Sequence, residues 1–223
     1  MKPSQPQLPP KNKHQAKTEA TLRDLLDAAE KIFARDGYAR TQIETIAAEA
    51  GRTKGAVYAH FKSKEDLFLA LFERKVRRQI ATVQSWPEDM PFEDRIRAGR
   101  KLFVSAWEDE TWPILLLEFK LFALRNTGSV ERIRDLYKHL YAGLPTKPKR
   151  SKVEQKRDVI ALAVMRGIPS AIALERHFDS RLQSPDTIRE ALKTIFDALV
   201  PLVVVPPAEP ALLKPSSKRK ETR

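Results

Sequence analysis

Residues 41–71 read TQIETIAAEAGRTKGAVYAHFKSKEDLFLAL, and the fold turns on this stretch. Apolar residues recur at helical spacing at Ile43, Ile46, Ala47 and Ala50, then stop at Gly51. They resume at Ala56, Val57 and Phe61, and again at Leu67 and Leu71. Each run opens on a start signal. Thr41 with Glu44 three residues on has the form of a capping box. Thr53 is a good N-cap, and Ser63 has Asp66 in the box position. Two short helices joined by a glycine-containing turn, with a helix before them, predict a helix-turn-helix.

The side chains between the apolar positions point the same way. Residues 52–64 carry Arg52, Lys54, Lys62 and Lys64 with no acid, interleaved with Tyr58 and His60. A hydrophobic core does not use that mixture, whereas a surface pressed against phosphates and bases does. Gly55 falls in the first turn of the second helix of the pair, where a missing Cβ lets backbone approach DNA closely. Tyr58, one turn further on, can reach a phosphate or a thymine methyl. His60 can donate to a phosphate.

Working outward, a helix over roughly 18–35 places Leu22, Leu25, Leu26, Ala29, Ile32 and Phe33 on one face. It should stop at RDGY, with Gly37 in a left-handed position and Tyr38 making the hydrophobic contact that follows. On the other side lie long amphipathic segments at 92–109, 111–126, 129–144, 151–178 and 184–200. Thr111 is a start signal for the second of these, which is apolar nearly all round and hence central. Ser184 and Pro185 open the last, whose stripe is Ile188, Leu192, Ile195, Phe196 and Leu199. Pro169 should kink or split the segment it occupies. With only 7 glycines in 223 residues and no alternating strand pattern, the chain reads as all-α.

A net charge of +12 and a pI near 9.9 suit a polyanionic partner. Residues 1–17, with four lysines and no acid, and 206–223 read as disordered basic segments. Further lysines and an arginine cluster at 147–152. The absence of cysteine excludes disulfides, thiolate metal sites and thiol nucleophiles. His14, His60, His139 and His177 are isolated, without metal-ligand spacing, and no phosphate-binding glycine loop or nucleophile elbow is present. No enzyme, cofactor or metal is expected. The N-terminus lacks the apolar region of a secretory signal, and no stretch is long enough to span a bilayer. The expectation is a cytoplasmic protein.

Over about fifty residues, from LLDAAEKIFARDGYARTQIETIA through YAHFKSKEDL, the sequence closely resembles the N-terminal domain of the tetracycline-repressor-type (TetR) family of bacterial transcription regulators. The resemblance implies a helix-turn-helix domain at 18–64 followed by a helical ligand-binding and dimerisation domain at 65–205. It also implies a homodimer on a palindromic operator in double-stranded DNA, usually a repressor released by a small molecule. Carried over by position, Thr41, Tyr58, His60 and Lys64 match phosphate contacts. Arg52, Thr53, Lys54, Gly55 and Val57 match the base-reading surface, and Gln42 and Thr45 complete the DNA face. Arg52 could prefer guanine, since a guanidinium donates to O6 and N7 together. In the family the last two long segments form a four-helix dimer interface. Phe103, Trp107, Trp112, Phe119, Phe122 and Met165 are the soft and aromatic residues from which a cavity for a largely apolar effector could be built. A sequence-indifferent architectural DNA binder and a ligand-independent regulator are the alternatives.

Overall fold

A computed structural model describes residues 13–108, 111–142 and 151–203. Residues 1–12 of the basic arm, the whole basic tail at 206–223 and most of the 147–152 cluster lie outside the described residues, while residues 13–17 of the arm are helical. Among those described, nine α-helices and one short 3-10 turn account for the regular structure, with no strand. No described helix is long and apolar enough to cross a membrane.

Helix α1 runs Lys13–Arg40, starting five residues earlier than the periodicity suggests, and is interrupted at Gly37. Gly37 has φ 76° and ψ 166°. That is not the left-handed helical conformation of a common C-cap but an extended positive-φ region essentially reserved for glycine. Helices α2 (Ile43–Glu49) and α3 (Lys54–Tyr58) follow, with Gly51 at φ 63° between them. The N-cap of α2 is Gln42, not Thr41, and it makes no side-chain capping bond. The Thr41 hydroxyl is buried and donates instead to the Gly37 carbonyl at 2.6 Å. The other two start signals act as the sequence predicts. Thr53 Oγ1 accepts from Ala56 N at 3.2 Å, and Ser63 Oγ from Asp66 N at 3.1 Å.

Helix α4 (Lys64–Gln84) opens the body but packs its first two turns into the head. Leu67, Phe68, Leu71 and Phe72 share one continuous core with Leu25, Phe33, Ile46 and Val57 of α1–α3. The same core takes in Trp112, Leu116 and Phe119 of α6 (Thr111–Leu124). No solvent layer separates the helix-turn-helix head from the body, and the boundary drawn before residue 65 does not divide the core.

Helix α6 packs against α1, α7 (Thr127–Ala142) and α8 (Lys152–Glu175), while α9 (Pro185–Val203) packs against α8 and α5 (Phe92–Trp107). Pro185 is the first residue of α9, as the sequence indicates. Pro169 sits inside α8 without splitting it. The α9 stripe has a different destination from the expected dimer face. Ile188, Leu192 and Phe196 are 4%, 1% and 6% exposed and close a second core against Phe103 and Val104 of α5. Ile195 and Val200 pack on the same core, and Leu199 is half-buried. The stripe is amphipathic because it covers its own chain. Among the described side chains of α8 and α9, the large apolar ones left exposed, Val153, Val159, Ile160 and Ile168, belong to α8.

Candidate nucleic-acid interface

The α2–α3 pair leaves a polar face outward. Gln42, Arg52, Thr53, Lys54, Gly55 and Tyr58 are exposed, and Thr45 and His60 are half-buried. Val57 is not on this face. At 1% exposure it is core, because its register on α3 turns it inward to the cluster that also holds Phe61 and Leu67. A five-residue helix offers few outward positions, and Val57 is the apolar residue that anchors it. Gly55 is under no steric demand from the protein: a Cβ there would meet only Thr53 Oγ1 at 3.8 Å.

The cations that the sequence groups together have different surroundings. Arg52 Nη2 lies 2.9 Å from Asp24 Oδ2 of α1. Lys54 pairs with Glu44 of α2, which raises the lysine pKa and lowers that of the carboxyl through the bond they share. The Lys54 ammonium also stands 5.8 Å from the centre of the Tyr58 ring, a distance at which a cation is attracted to a π face. Lys64 departs furthest from its sequence reading. Its ammonium donates to the carbonyls of Tyr38, Ala39 and Thr41 at 2.8, 3.1 and 3.0 Å. Burial lowers its pKa, and the three carbonyls account for its three N–H bonds. As placed, Lys64 ties the end of α1 to the start of α4 and has no donor left for a phosphate. Thr41 is likewise spent: its hydroxyl faces Gly37, and only 3% of the residue is exposed.

The head is braced from the body by groups that sequence periodicity could not assign. Glu118 of α6 accepts from Tyr38 N at 2.8 Å, beneath the Gly37 reversal. Arg132 of α7 reaches the first turn of α4, 3.1 Å from Glu65 and paired with Asp66. Arg74 of α4 grips α1 through Asp27 at 2.6 Å and Glu30 at 2.9 Å. In the sequence Glu118 is a charge within the largely apolar segment 111–126. Its partner, eighty residues away, left no local signal.

The aromatic residues selected for a ligand cavity divide into two groups. Phe103, Trp107 and Met165 line a cavity of about 430 Å³ between α4, α5, α8 and α9, together with Ile80, Trp86 and Phe196. Trp112 and Phe119 are elsewhere, with their rings against Phe68 at 5.9 and 4.2 Å in the head–body core. Phe122 sits beside Tyr38 at 4.9 Å. All six had the same helical-face signature, and only the packing of α6 separates them. Arg95 is the charged residue on the cavity lining, and its guanidinium donates to the Pro87 and Glu88 carbonyls at 3.1 and 3.2 Å.

A short, capped helix presenting Lys54 and Tyr58, with Arg52 in the glycine turn that joins it to a second helix, defines a helix-turn-helix DNA-binding domain carried on a helical body. Residues 25–71 match the model of the bacterial regulatory proteins of the tetR family. The N-terminal domain is a tetR-family domain. Over 71 residues the chain is 42% identical to the uncharacterised HTH-type transcriptional regulator YwcC of Bacillus subtilis, covering 31% of this chain and 32% of that protein. Over 60 residues it is 37% identical to the fatty acid metabolism regulator protein of the same organism, covering 27% of this chain and 31% of that protein. The chain thus spans about a third of the length of these relatives. The whole fold is similar to a TetR transcription regulator of Haloarcula marismortui, with a TM-score of 0.57 at 19% identity, covering 81% of this chain and 98% of that one.

Proposed function

We propose that the protein is a cytoplasmic transcriptional regulator that binds an inverted-repeat operator as a homodimer and releases it when a small, largely apolar effector enters the body. The observation that carries this reading is the single core running from α3 through α4 to α6, with an apolar cavity against the far part of α4. A displacement of α4 by a ligand is felt at the reading helix because no flexible joint lies between them. Such coupling requires only a difference in effector affinity between two arrangements, typically about 1–3 kcal/mol.

Dimerisation is assigned to α8 rather than to the α9 stripe. Val153, Val159, Ile160 and Ile168 give α8 an exposed apolar surface that a second copy would cover. A two-fold axis there would present two α3 helices to one face of DNA, spaced roughly 34–36 Å if they occupy successive major grooves.

Selection from random duplex DNA, using the full-length protein, tests the reading. An inverted repeat should emerge for the wild type. Arg52→Ala should relax one position in each half-site, at a cost of about 1–3 kcal/mol if the contact is bidentate to guanine. Recovery of unrelated sequences by the wild type would overturn the operator reading and favour a sequence-indifferent binder.

The cavity makes its own prediction. Trp86 and Trp107 line it and Trp112 does not. An effector should therefore change tryptophan fluorescence in the wild type and in Trp112→Phe alike, with operator affinity falling in parallel. A compound that changes the fluorescence but leaves operator affinity intact is not the effector. Arg95 stays charged and donates to the two carbonyls from Nη2 alone, so apolar compounds bearing one acidic group should be screened beside uncharged ones.

A further inference from the structure

Residues 52–64 contain no acid, so in sequence Arg52 is an uncompensated cation. In the fold it is not. Asp24, on the turn of α1 before Leu25 and Leu26 enter the core, places Oδ2 2.9 Å from Arg52 Nη2. The acid stands on the helix that braces the reading pair, anchored by residues 0% and 6% exposed, so its position is rigid. The arginine stands in the turn between α2 and α3, where the backbone alone leaves a long side chain many rotamers.

The geometry of the contact matters more than its strength. A single bond from Nη2 to a single carboxylate oxygen uses one of the five donors of a guanidinium. Enough remain for a paired contact to the O6 and N7 edge of a guanine, so base reading need not break the ion pair. A phosphate contact is different. Phosphates lie along the strands at the groove edges, and a guanidinium that swings to one leaves the carboxylate behind. An aspartate in this place therefore taxes one mode of DNA contact and spares the other. Uniform neutralisation of the cation would subtract equally from all DNA and change no preference.

We propose that Asp24 is a positioning residue for sequence recognition, holding the Arg52 guanidinium toward the bases and opposing its use on phosphates. This rests on the reading of Arg52 as a base contact. Both side chains are partly exposed, at 37% for Arg52 and 44% for Asp24, so the effect is modest. Exposed ion pairs alter equilibria by roughly two- to five-fold, and that is the expected change in the ratio of operator to random-DNA affinity.

The test uses full-length protein, the operator recovered by selection, and a random-sequence duplex of equal length, titrated at several salt concentrations. Asp24→Ala should bind random DNA more tightly than wild type while gaining less, or nothing, on the operator. Its selected consensus should be relaxed at the same position as that of Arg52→Ala. Asp24→Asn keeps an oxygen that can accept from Nη2 and should restore most of the preference at that position. Glu49→Gln is the control for net charge: it removes one acid from the same domain whose partner is Lys31 of α1 rather than a residue of the reading surface. It should tighten both DNAs by similar factors and leave the Arg52 position unchanged. An unchanged melting temperature for Asp24→Ala separates the effect from loss of structure, since an unfolded polycation also binds random DNA. If Asp24→Ala tightens operator and random DNA equally, or leaves the consensus intact, Asp24 only neutralises charge and the proposal is wrong. If Arg52→Ala itself leaves the consensus unchanged, the base-reading assignment fails first.

Discussion

Replacing Phe68 with alanine should destabilise the protein by about 3–5 kcal/mol, the range for deleting a buried aromatic ring from a core. For a chain of this size that corresponds to a fall in melting temperature of roughly 6–20 °C. Phe68 is 0% exposed and stands where α4 passes from head to body. Its ring meets Phe33 at 5.3 Å and Tyr38 at 5.2 Å on the head side, both edge-on. On the body side it stacks on Phe119 at 4.2 Å and Trp112 at 5.9 Å. Such pairs add about 0.5–1.5 kcal/mol each beyond area burial. Four rings from two other helices cannot all move inward to fill one vacancy, so most of the cavity cost should remain. Phe68→Leu, which refills much of the volume, should lose markedly less. Thermal and urea denaturation of the full chain measure both. A loss below about 1 kcal/mol for Phe68→Ala would mean that the cluster collapses freely and does not join head to body rigidly.

Gly37→Ala should cost about 2–6 kcal/mol, although alanine is the mildest substitution available. Part of this, about 1–3 kcal/mol, is the strain of a side chain at φ 76° and ψ 166°. The remainder comes from Glu118. A Cβ built on Gly37 would lie 2.8 Å from Glu118 Oε2, the oxygen that accepts from Tyr38 N. The carboxylate must withdraw, leaving that part-buried amide without its acceptor, a loss of the order of 1–3 kcal/mol. The two contributions separate in a double-mutant cycle. In a Glu118→Ala background the overlap is gone, and Gly37→Ala should cost only the backbone strain. Full additivity of the two substitutions would show that Glu118 moves aside without penalty.

These two sites differ in how far the sequence announces them. The RDGY break and the start of each helix at Thr53, Ser63 and Pro185 are local events. A cap needs only a side-chain oxygen within three residues of an orphan N–H, so both partners lie in one short window. Thr41 satisfies the same rule in sequence and still fails in structure. Its hydroxyl has a second acceptor in the Gly37 carbonyl, brought to 2.6 Å by a backbone conformation the pattern does not encode. Val57 was ambiguous from the outset, apolar yet within the reading segment. The shortness of α3 sends it inward.

The all-α class, the order of the helices, and the place of the helix-turn-helix within it were determined by the sequence alone. Periodicity, caps and glycine stops act over a few residues and survive any tertiary arrangement. Which charges are free to meet DNA was decided only by the tertiary structure. Arg52, Lys54 and Lys64 are equivalent cations in one acid-free stretch. The fold gives the first an aspartate from α1, the second a glutamate from α2 and the third three carbonyls from the α1–α2 junction. The apolar stripes were resolved in the same way, with α9 turned onto α5 and α8 left exposed. Periodicity says that a face is apolar, and electrostatics says that a cation seeks an anion. Neither names the partner, because the partner is set by which helix faces meet when the whole core closes.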